Sequence, residues 1–503
     1  MMSVMGLESE LNLAVAGPSR QAKKPLITAL LDQVKQVVPA VVNVEGSPPL
    51  PGFMTGNGSR IYVDLGNLIE IATPEVVTPM EAVISLHANE RMLLQLLPDV
   101  ARNLHVNPAN VILNRCATSY DGHYRGMHVN VSTRHFEAGA LVEHLVPFLV
   151  TRFYACAGGI GPQGFVMSHK AVAIRTIVSA DARVNRGIIH LKDEPLSGSG
   201  TYRLHIAHGD ATMATLSTYL SLGCTALVIR MLDDGVCVGP MCKLADPIAA
   251  LRVLDTDYTW SAPLLLASGC EGSALDIQEH YLRAAERYAS RKGVAWMRDV
   301  TGRWRTAVDT LRAQGPPGLA RDCDAYAKRK LYVAYLNRLG TTLAEFSCWC
   351  GPVAAARPYL SLGPCTTPRQ HLQERMPAVR FTFLEERMRR HRLAWSELPR
   401  AAALYERMVA LDLLYHDVSE LGLFGRLCSA GAIRSLFGKA EVLAAMRQPP
   451  RGTRAEARAR AITEVANDAS ARGNWLEIRT TSRRAEFKDP MCTTFTWAAQ
   501  KAK

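Results

Sequence analysis

The twelve cysteines form no Cys-x-x-Cys pair and no Cys/His spacing suited to zinc. The nearest neighbours are Cys237 with Cys242 and Cys348 with Cys350, so reduced, mostly buried thiols are expected. Long apolar runs are also missing. None reaches the roughly 18 residues that a bilayer span needs, and the N-terminus carries no basic-then-apolar leader pattern. The sequence therefore points away from a membrane and toward the cytoplasm. The glycine-rich stretch Ala157–Gly164 lacks the Lys-Ser/Thr ending of a phosphate-binding loop and reads as a flexible turn. No RNP motif, zinc finger or helix-turn-helix accompanies the net charge of +12. Scattered arginines on solvated helix faces account for that charge better than nucleic acid does, although an acidic partner or nucleotide would also suit it.

With 503 residues, 48% of them hydrophobic, the chain is long enough for one large domain and a smaller one. The chemistry concentrates in two short stretches. Arg60 to Leu65 reads as a β-strand in which Tyr62 and Asp64 share one face and Ile61, Val63 and Leu65 the other. Glu70 and Glu75 follow closely. At the N-terminus, Gly6–Leu11 reads as a second strand with Glu8 and Glu10 on one face. Two such carboxylates repel each other unless solvent or a cation separates them. An oxygen-rich cluster of this kind suits Mg²⁺.

Between and beyond these strands, residues 17–25 and 44–58 read as loops. Leu26–Val38, Thr78–Leu104, Leu141–Thr151, Leu216–Leu232, Asp276–Ala289, Cys323–Arg338, Phe381–Arg392 and Leu398–His416 read as helices. Arg454 and Arg458, four apart, share a helix face.

These stretches resemble the Pup ligase and depupylase family, relatives of the glutamine synthetase-like carboxylate–amine ligases. Gly6, Glu8 and Glu10 match the family's opening strand. Asn57, Gly58, Arg60, Tyr62 and Asp64 match its next signature, and Glu70, Ala72, Thr73 and Glu75 the one after. The resemblance continues through Arg186–Pro195, Tyr202–Asp210, Ser273–Gln278, Leu411–Asp417 and Gln448–Arg458. It implies an α+β fold: a large domain with a curved, mainly antiparallel sheet cradle backed by helices, plus a small C-terminal domain. The expected bounds are 1–420 and 421–503, with 340–378 as an insertion.

The resemblance also assigns roles. Asp64 matches the family's catalytic aspartate, a base for the incoming amine. Glu8, Glu10, Tyr62, Glu70, His128 and His205 are candidates for holding Mg²⁺, and Lys192, Arg203, Arg454 and Arg458 for contacting ATP phosphates. The implied activity is ATP-dependent phosphorylation of a glutamate-type carboxylate and its joining to an amine. The partners would be a carboxylate-bearing small protein or peptide (Pup-like) and an amine acceptor, with a link to the bacterial proteasome pathway; nucleic acid and membrane are not expected. Depupylases usually carry a longer insertion between the two acidic strands, so the short gap here tilts the reading to the ligase side. An amide hydrolase, a phosphotransferase and a catalytically weak nucleotide-binding homologue remain open. Ala117, Val129 (where the family has glutamate) and Leu196 replace polar family residues, and Lys192 replaces an arginine, losing its bidentate fork. They lead us to expect poor handling of Pup.

Overall fold

A computed structural model of the chain describes residues 4–46, 49–64, 66–118, 124–135, 137–181, 185–190, 200–360 and 367–499. The strands are β1 (Met5–Val15), β2 (Ala40–Asn43), β3 (Gly52–Thr55), β4 (Arg60–Asp64), β5 (Leu68–Ala72), β6 (Val111–Asn114), β7 (Met127–Thr133), β8 (Gly159–Gly161), β9 (Gly164–Val166), β10 (Thr176–Ser179), β11 (Gly187–His190), β12 (Tyr202–Ile206), β13 (Pro263–Leu265), β14 (Glu271–Ser273), β15 (Arg472–Gly473), β16 (Glu477–Arg479), β17 (Arg483–Glu486) and β18 (Ala498–Ala499). Fourteen of them make one sheet, in the order β10-β11-β12-β7-β1-β5-β4-β3-β2-β15-β16-β17-β18, with β6 also paired to β1. All pairings in it are antiparallel except β10 with β11 and β15 with β2. The expected mainly antiparallel α+β architecture is therefore present.

Strand alternation decides which face is which. Along β1, Leu7, Ser9, Leu11 and Leu13 are buried, while Glu8, Glu10 and Asn12 between them are only partly covered. The leucines join Ile61, Ile69, Ile71, Val129, Val131, Leu204 and Ile206 in the main core. Against that face pack α1 (Lys23–Gln33), α2 (Pro79–Asn103), α3 (Ala138–Val150), α4 (Thr215–Asp233) and α5 (Pro247–Thr256), while α6 (Ala274–Lys292) and α7 (Ala295–Gln314) cover α4 from its far side. Helix α2 starts on a capping box between Thr78 and Glu81, which satisfies two orphan backbone donors. Helix α4 is long and apolar enough to cross a bilayer by length and composition, which corrects the expectation that no segment reaches that limit. Here it is the central core helix, buried over nearly its whole length.

The segment expected to be an insertion folds into helices. With α8 (Asp324–Arg338), the helices α9 (Leu343–Ala356), α10 (Pro368–Arg375), α11 (Ala378–Arg390) and α12 (Leu398–Tyr415) close a second core around Tyr332, Phe346, Phe381 and Met408. Beyond it, α13 (Leu423–Ser429) packs on Tyr415, and α14 (Lys439–Ala445) lies against α2. Last comes α15 (Arg454–Val465). It shares a third core with Met54, Tyr62 and Ala72 of the sheet and with Trp475, Ile478 and Phe487 from the chain's end.

Three loop expectations are corrected. Residues 17–25 hold a 3₁₀ helix over Gly17–Ala22 and the first residues of α1. Residues 44–58 contain β3, too short and glycine-flanked to announce itself; its neighbours β2 and β4 impose the pairing. The glycine-rich stretch 157–164 enters a hairpin of β8 and β9 rather than a free turn. Gly164 there has φ +99°, and a Cβ on it would collide with Ser347 of α9, so only glycine fits.

Candidate active site

Register across the sheet sets the acidic groups in two rows. Glu10 of β1 lies opposite Glu70 of β5, which lies opposite Tyr62 of β4. In the next row, His128 of β7 faces Glu8 of β1, Glu8 faces Ala72 of β5, and Ala72 faces Arg60 of β4. On β12, His205 lies opposite Asn130 and Arg203 opposite Ser132. Directly opposed residues project from the same face, here the one turned away from the main core. The hairpin joining β4 to β5 turns through Gly66 (φ 82°) and Asn67 (φ 55°), a left-handed geometry these two residues tolerate.

The signature upstream of β4 is structural. Asn57 accepts from the Thr55 hydroxyl at 2.7 Å and from Ser59 N at 3.2 Å, and donates to Asn89 of α2 at 3.2 Å. Gly58 has φ +90° and sits against Pro74 and Ala455, where a Cβ would be crowded. Thr73 accepts from Leu7 N at 2.9 Å, tying β5's end to β1.

A cavity of about 380 Å³ opens over the two rows. Glu8, Glu10, Tyr62, Asp64, Glu70, His128, Arg203 and His205 all line it, so eight of the eleven residues singled out in the sequence come together. Within it, one ligand atom each from Glu10, Asp64 and Glu70 lie within 4.8 Å of one another, and so do those from Glu8, His128 and His205. Asp64 thus stands with two carboxylates expected to hold metal, rather than apart from them.

The electrostatics follow from this crowding. Burial, and then the charges of Glu8, Glu10 and Asp64, push the Glu70 carboxyl well above its usual range. Burial and the charge of Glu70 do the same to the Tyr62 hydroxyl, which shares a hydrogen bond with Glu70. Glu8 goes the other way. Burial opposes its charge, but Arg203 at 3.5 Å, His128 at 3.5 Å and His205 outweigh burial and hold the carboxyl well below the usual range. Glu10 accepts from Gly126 N at 2.8 Å, and His205 Nδ1 lies 2.9 Å from Asn130 Oδ1.

Arg454 and Arg458 lie elsewhere. Arg454 Nε and Arg458 Nη2 each donate to Glu75 at 2.6 Å. Arg454 borders a smaller cavity of about 70 Å³ that shares Glu8, Arg203 and Trp475 with the main one. Arg458 is fully buried, with its guanidinium over the Trp475 ring. Lys192 and Leu196 lie outside the described residues. Val129 is on the opposite face of β7, 2% exposed and packed in the main core. Ala117 is buried and does not line the cavity. Neither substitution strips a polar group from the site, so the argument that these two losses weaken substrate handling does not hold.

The sequence reading missed Arg125, Lys170 and Arg186, which line the same cavity. Lys170 is almost fully buried and donates through Nζ to the Ala207 carbonyl; burial lowers its ammonium to about 8. Lone cations in loops carry no periodic signal, and only the tertiary fold brings them in.

Known proteins extend this picture. The family model described as Pup-ligase protein matches residues 5–347 and 370–479, and the gap falls inside the expected insertion. The chain is 30% identical over 450 residues to a "Pup--protein ligase" of Kineococcus radiotolerans, covering 86% of each chain. It is 31% identical over 445 residues to a "Depupylase" of Acidothermus cellulolyticus, covering 85% of this chain and 75% of that one. Among solved structures, the complex of the prokaryotic ubiquitin-like protein Pup with its ligase PafA superposes with a TM-score of 0.72 at 23% identity, covering 98% of this chain and 90% of that one. The Pup ligase PafA with ADP gives 0.66 at 23% identity, with 95% and 92% covered; both share the fold. The family match spans most of the chain, including both acidic strands and the β12 Arg-x-His pair, so this chain belongs to the Pup ligase family.

Proposed function

We propose that this chain is an ATP-dependent carboxylate–amine ligase of the Pup ligase type, forming an amide (isopeptide) bond between a glutamate-type carboxylate on a Pup-like small protein and an amine on an acceptor protein. The observation that carries the reading is the single cavity in which the two in-register rows, Asp64 at the end of β4 and Arg203 and His205 of β12 bring together four carboxylates, Tyr62, two imidazoles and an arginine. Family membership, and the ADP-bound ligase that shares the fold, support it. A ligase using ATP would work in the cytoplasm, and its Pup-like partner would link it to the bacterial proteasome pathway.

The residues fit a divalent cation. Glu10, Asp64 and Glu70 offer only oxygen, and burial together with the neighbouring carboxylates raises the Glu70 carboxyl. Such a set suits Mg²⁺, with Glu8, His128 and His205 as a second group. When bound, ATP and Mg²⁺ would supply the phosphoryl group that makes the donor carboxyl oxygen a leaving group, with its charge neutralised. Arg203, Arg454, Arg458 and Lys192 are the proposed phosphate contacts; of these, Arg203 borders both cavities and is best placed, while Arg454 and Arg458 are engaged by Glu75. An amine near pH 7 is almost fully protonated, its pKa being about 10.4. Asp64, at the cavity end of β4, takes that proton so that nitrogen can attack.

The same carboxylate would also activate water, so an amide hydrolase is the second reading; the depupylase relative favours it. Against it, the connection from β1 to β2 is filled by α1 and short 3₁₀ turns, without the long insertion expected of depupylases. The deciding experiment incubates the purified protein with ATP, Mg²⁺, a Pup-like protein ending in glutamate and a lysine-bearing acceptor, and follows a covalent conjugate by mass spectrometry. Conjugate formation supports the ligase; ATP-dependent cleavage of a preformed conjugate with no synthesis replaces it with the hydrolase.

A further inference from the structure

A buried polar cluster joins the second core to the sheet, and Asp412 of α12 is its centre. Asp412 Oδ1 accepts from the Tyr332 hydroxyl at 2.8 Å and from the Lys328 ammonium, both on α8. Lys328 Nζ also lies 2.9 Å from His416 Nε2. The other oxygen, Oδ2, faces His169 Nε2 at 3.5 Å and Cys116 Sγ at 3.8 Å. Lys328, Asp412 and His416 are all buried. A buried ion pair is costly to desolvate and gains little stability over a well-packed apolar core. Its value here lies in what it holds in place.

What it holds is the segment that brings Lys170 into the main cavity. His169 and Lys170 are consecutive, the imidazole turned back to Asp412 and the lysine lining the cavity. Both side chains fill slots left by glycines. A Cβ on Gly159 would lie 1.8 Å from His169 Nε2, and one on Gly126 would lie 2.1 Å from Lys170 Nζ. Gly126 N in turn donates to Glu10 at 2.8 Å, so the ammonium and the Glu10 carboxylate flank one residue. A carboxylate stands against each residue of this segment. Asp255 accepts from Ser168 N at 3.0 Å, Asp412 faces the His169 ring, and Asp210 accepts from Lys170 N at 3.4 Å. Of the three, only Asp412 belongs to the helices of the second core.

We propose that Asp412 is a positioning residue of the active site: by fixing His169 it sets Lys170, the wall cation beside Glu10. The inference rests on the proposed reading of the cavity as a Mg²⁺ and nucleotide site, and it holds for ligase and hydrolase alike. It makes the α8–α12 pair part of the site's support, because a shift of α12 against the sheet would move the cavity wall.

Crystal structures of Asp412→Asn and Gly159→Ala read the route directly. The first removes the charge that faces His169 and the second fills the slot of its ring; neither residue lines the main cavity. In each, the Lys170 ammonium should leave the Ala207 carbonyl to which it donates in the wild type. Calorimetry reads the consequence as the Mg²⁺ concentration needed for ADP binding. Asp412→Asn should raise it about 10- to 100-fold, the usual cost of losing an outer partner of a metal site. Lys170→Met should raise it too, and the double variant should lose no more than the worse single one, because both act along one route. Losses that multiply in the double variant, or a Lys170 ammonium unmoved in both structures, overturn the proposal. Should Asp412→Asn not fold, Gly159→Ala carries the same comparison. A wild type whose ADP binding ignores Mg²⁺ defeats the reading of the cavity instead, and the structures still decide whether Asp412 sets Lys170.

Discussion

Arg458 and Glu75 meet at 2.6 Å across 383 residues of chain; Arg458 is completely buried and the Glu75 side chain is 13% exposed. A second donor, Arg454, reaches the same carboxylate at 2.6 Å, and the Thr453 hydroxyl donates to the Glu75 carbonyl at 2.7 Å. One carboxylate after β5 thus fastens the start of α15 onto the sheet beside the cavity.

Removing that carboxylate leaves two buried guanidinium groups without their anion. Glu75→Ala should cost about 3–5 kcal/mol, the range for breaking one side of a buried pair. Urea unfolding at pH 7 would measure it, and a change below 1 kcal/mol would show the clasp to be incidental.

The same pair sets an acid limit. Burial alone would raise the Glu75 carboxyl, but Arg458 and Arg454 lower it to about 2. A carboxyl depressed in the folded state adds stability that is fully present above its unfolded pKa of about 4.3. That contribution drains away as pH falls toward about 2, for a total of about 3 kcal/mol. Unfolding followed from pH 6 to pH 3 should show stability dropping in the wild type. The drop should be smaller in Glu75→Gln, which has no proton to take up there.

Asp64→Asn retains size and most hydrogen bonding but removes the base. Amide formation should fall about 10²- to 10⁴-fold, the usual loss for a general base, while ADP binding persists. Product assays beside calorimetry resolve the two. Amide formation at the wild-type rate would remove Asp64 from the chemistry.

Glu10→Ala removes one of three carboxylates within 4.8 Å of one another. Mg²⁺-dependent ATP turnover should disappear with the fold intact, and the Mg²⁺ dependence of ADP binding should flatten. Unchanged turnover would place the cation away from Glu10.

Restoring a carboxylate at position 129 tests which face of β7 matters. Val129→Glu would bury an unpaired charge among core side chains and should destabilise by about 3–5 kcal/mol without changing the KM for a glutamate-ended peptide. A KM shift without loss of stability would place residue 129 in the site after all.

Much of the site was legible because a strand's period is two. Knowing that Glu8 and Glu10, or Tyr62 and Asp64, lie two apart is enough to place each pair on one face. The same parity bore on Val129: His128 and Asn130 face the cavity, so the residue between them faces the core. The expectation that Val129 costs the site a polar group fails for that reason: its side chain lies in the main core. Arg454 and Arg458 were correctly placed on one helical face, but nothing local announces a partner as distant in the chain as Glu75. Lys170, Arg125 and Arg186 come from loops and strand ends, which obey no period. β3 eluded the reading because its four residues gain their pairing from neighbours rather than from their own pattern.

Helix α4 has a consequence for how the chain is made. Strands β1 and β7 with helices α2 and α3 cover one side of it and precede it, while α6 and α7 cover the other and follow it by some forty residues or more. Until Ala274–Gln314 has left the ribosome, a helix apolar enough to enter a bilayer presents one bare flank. A chain released after Thr256 would keep that flank permanently, and would be drawn to chaperones, to other copies of itself or to a lipid surface.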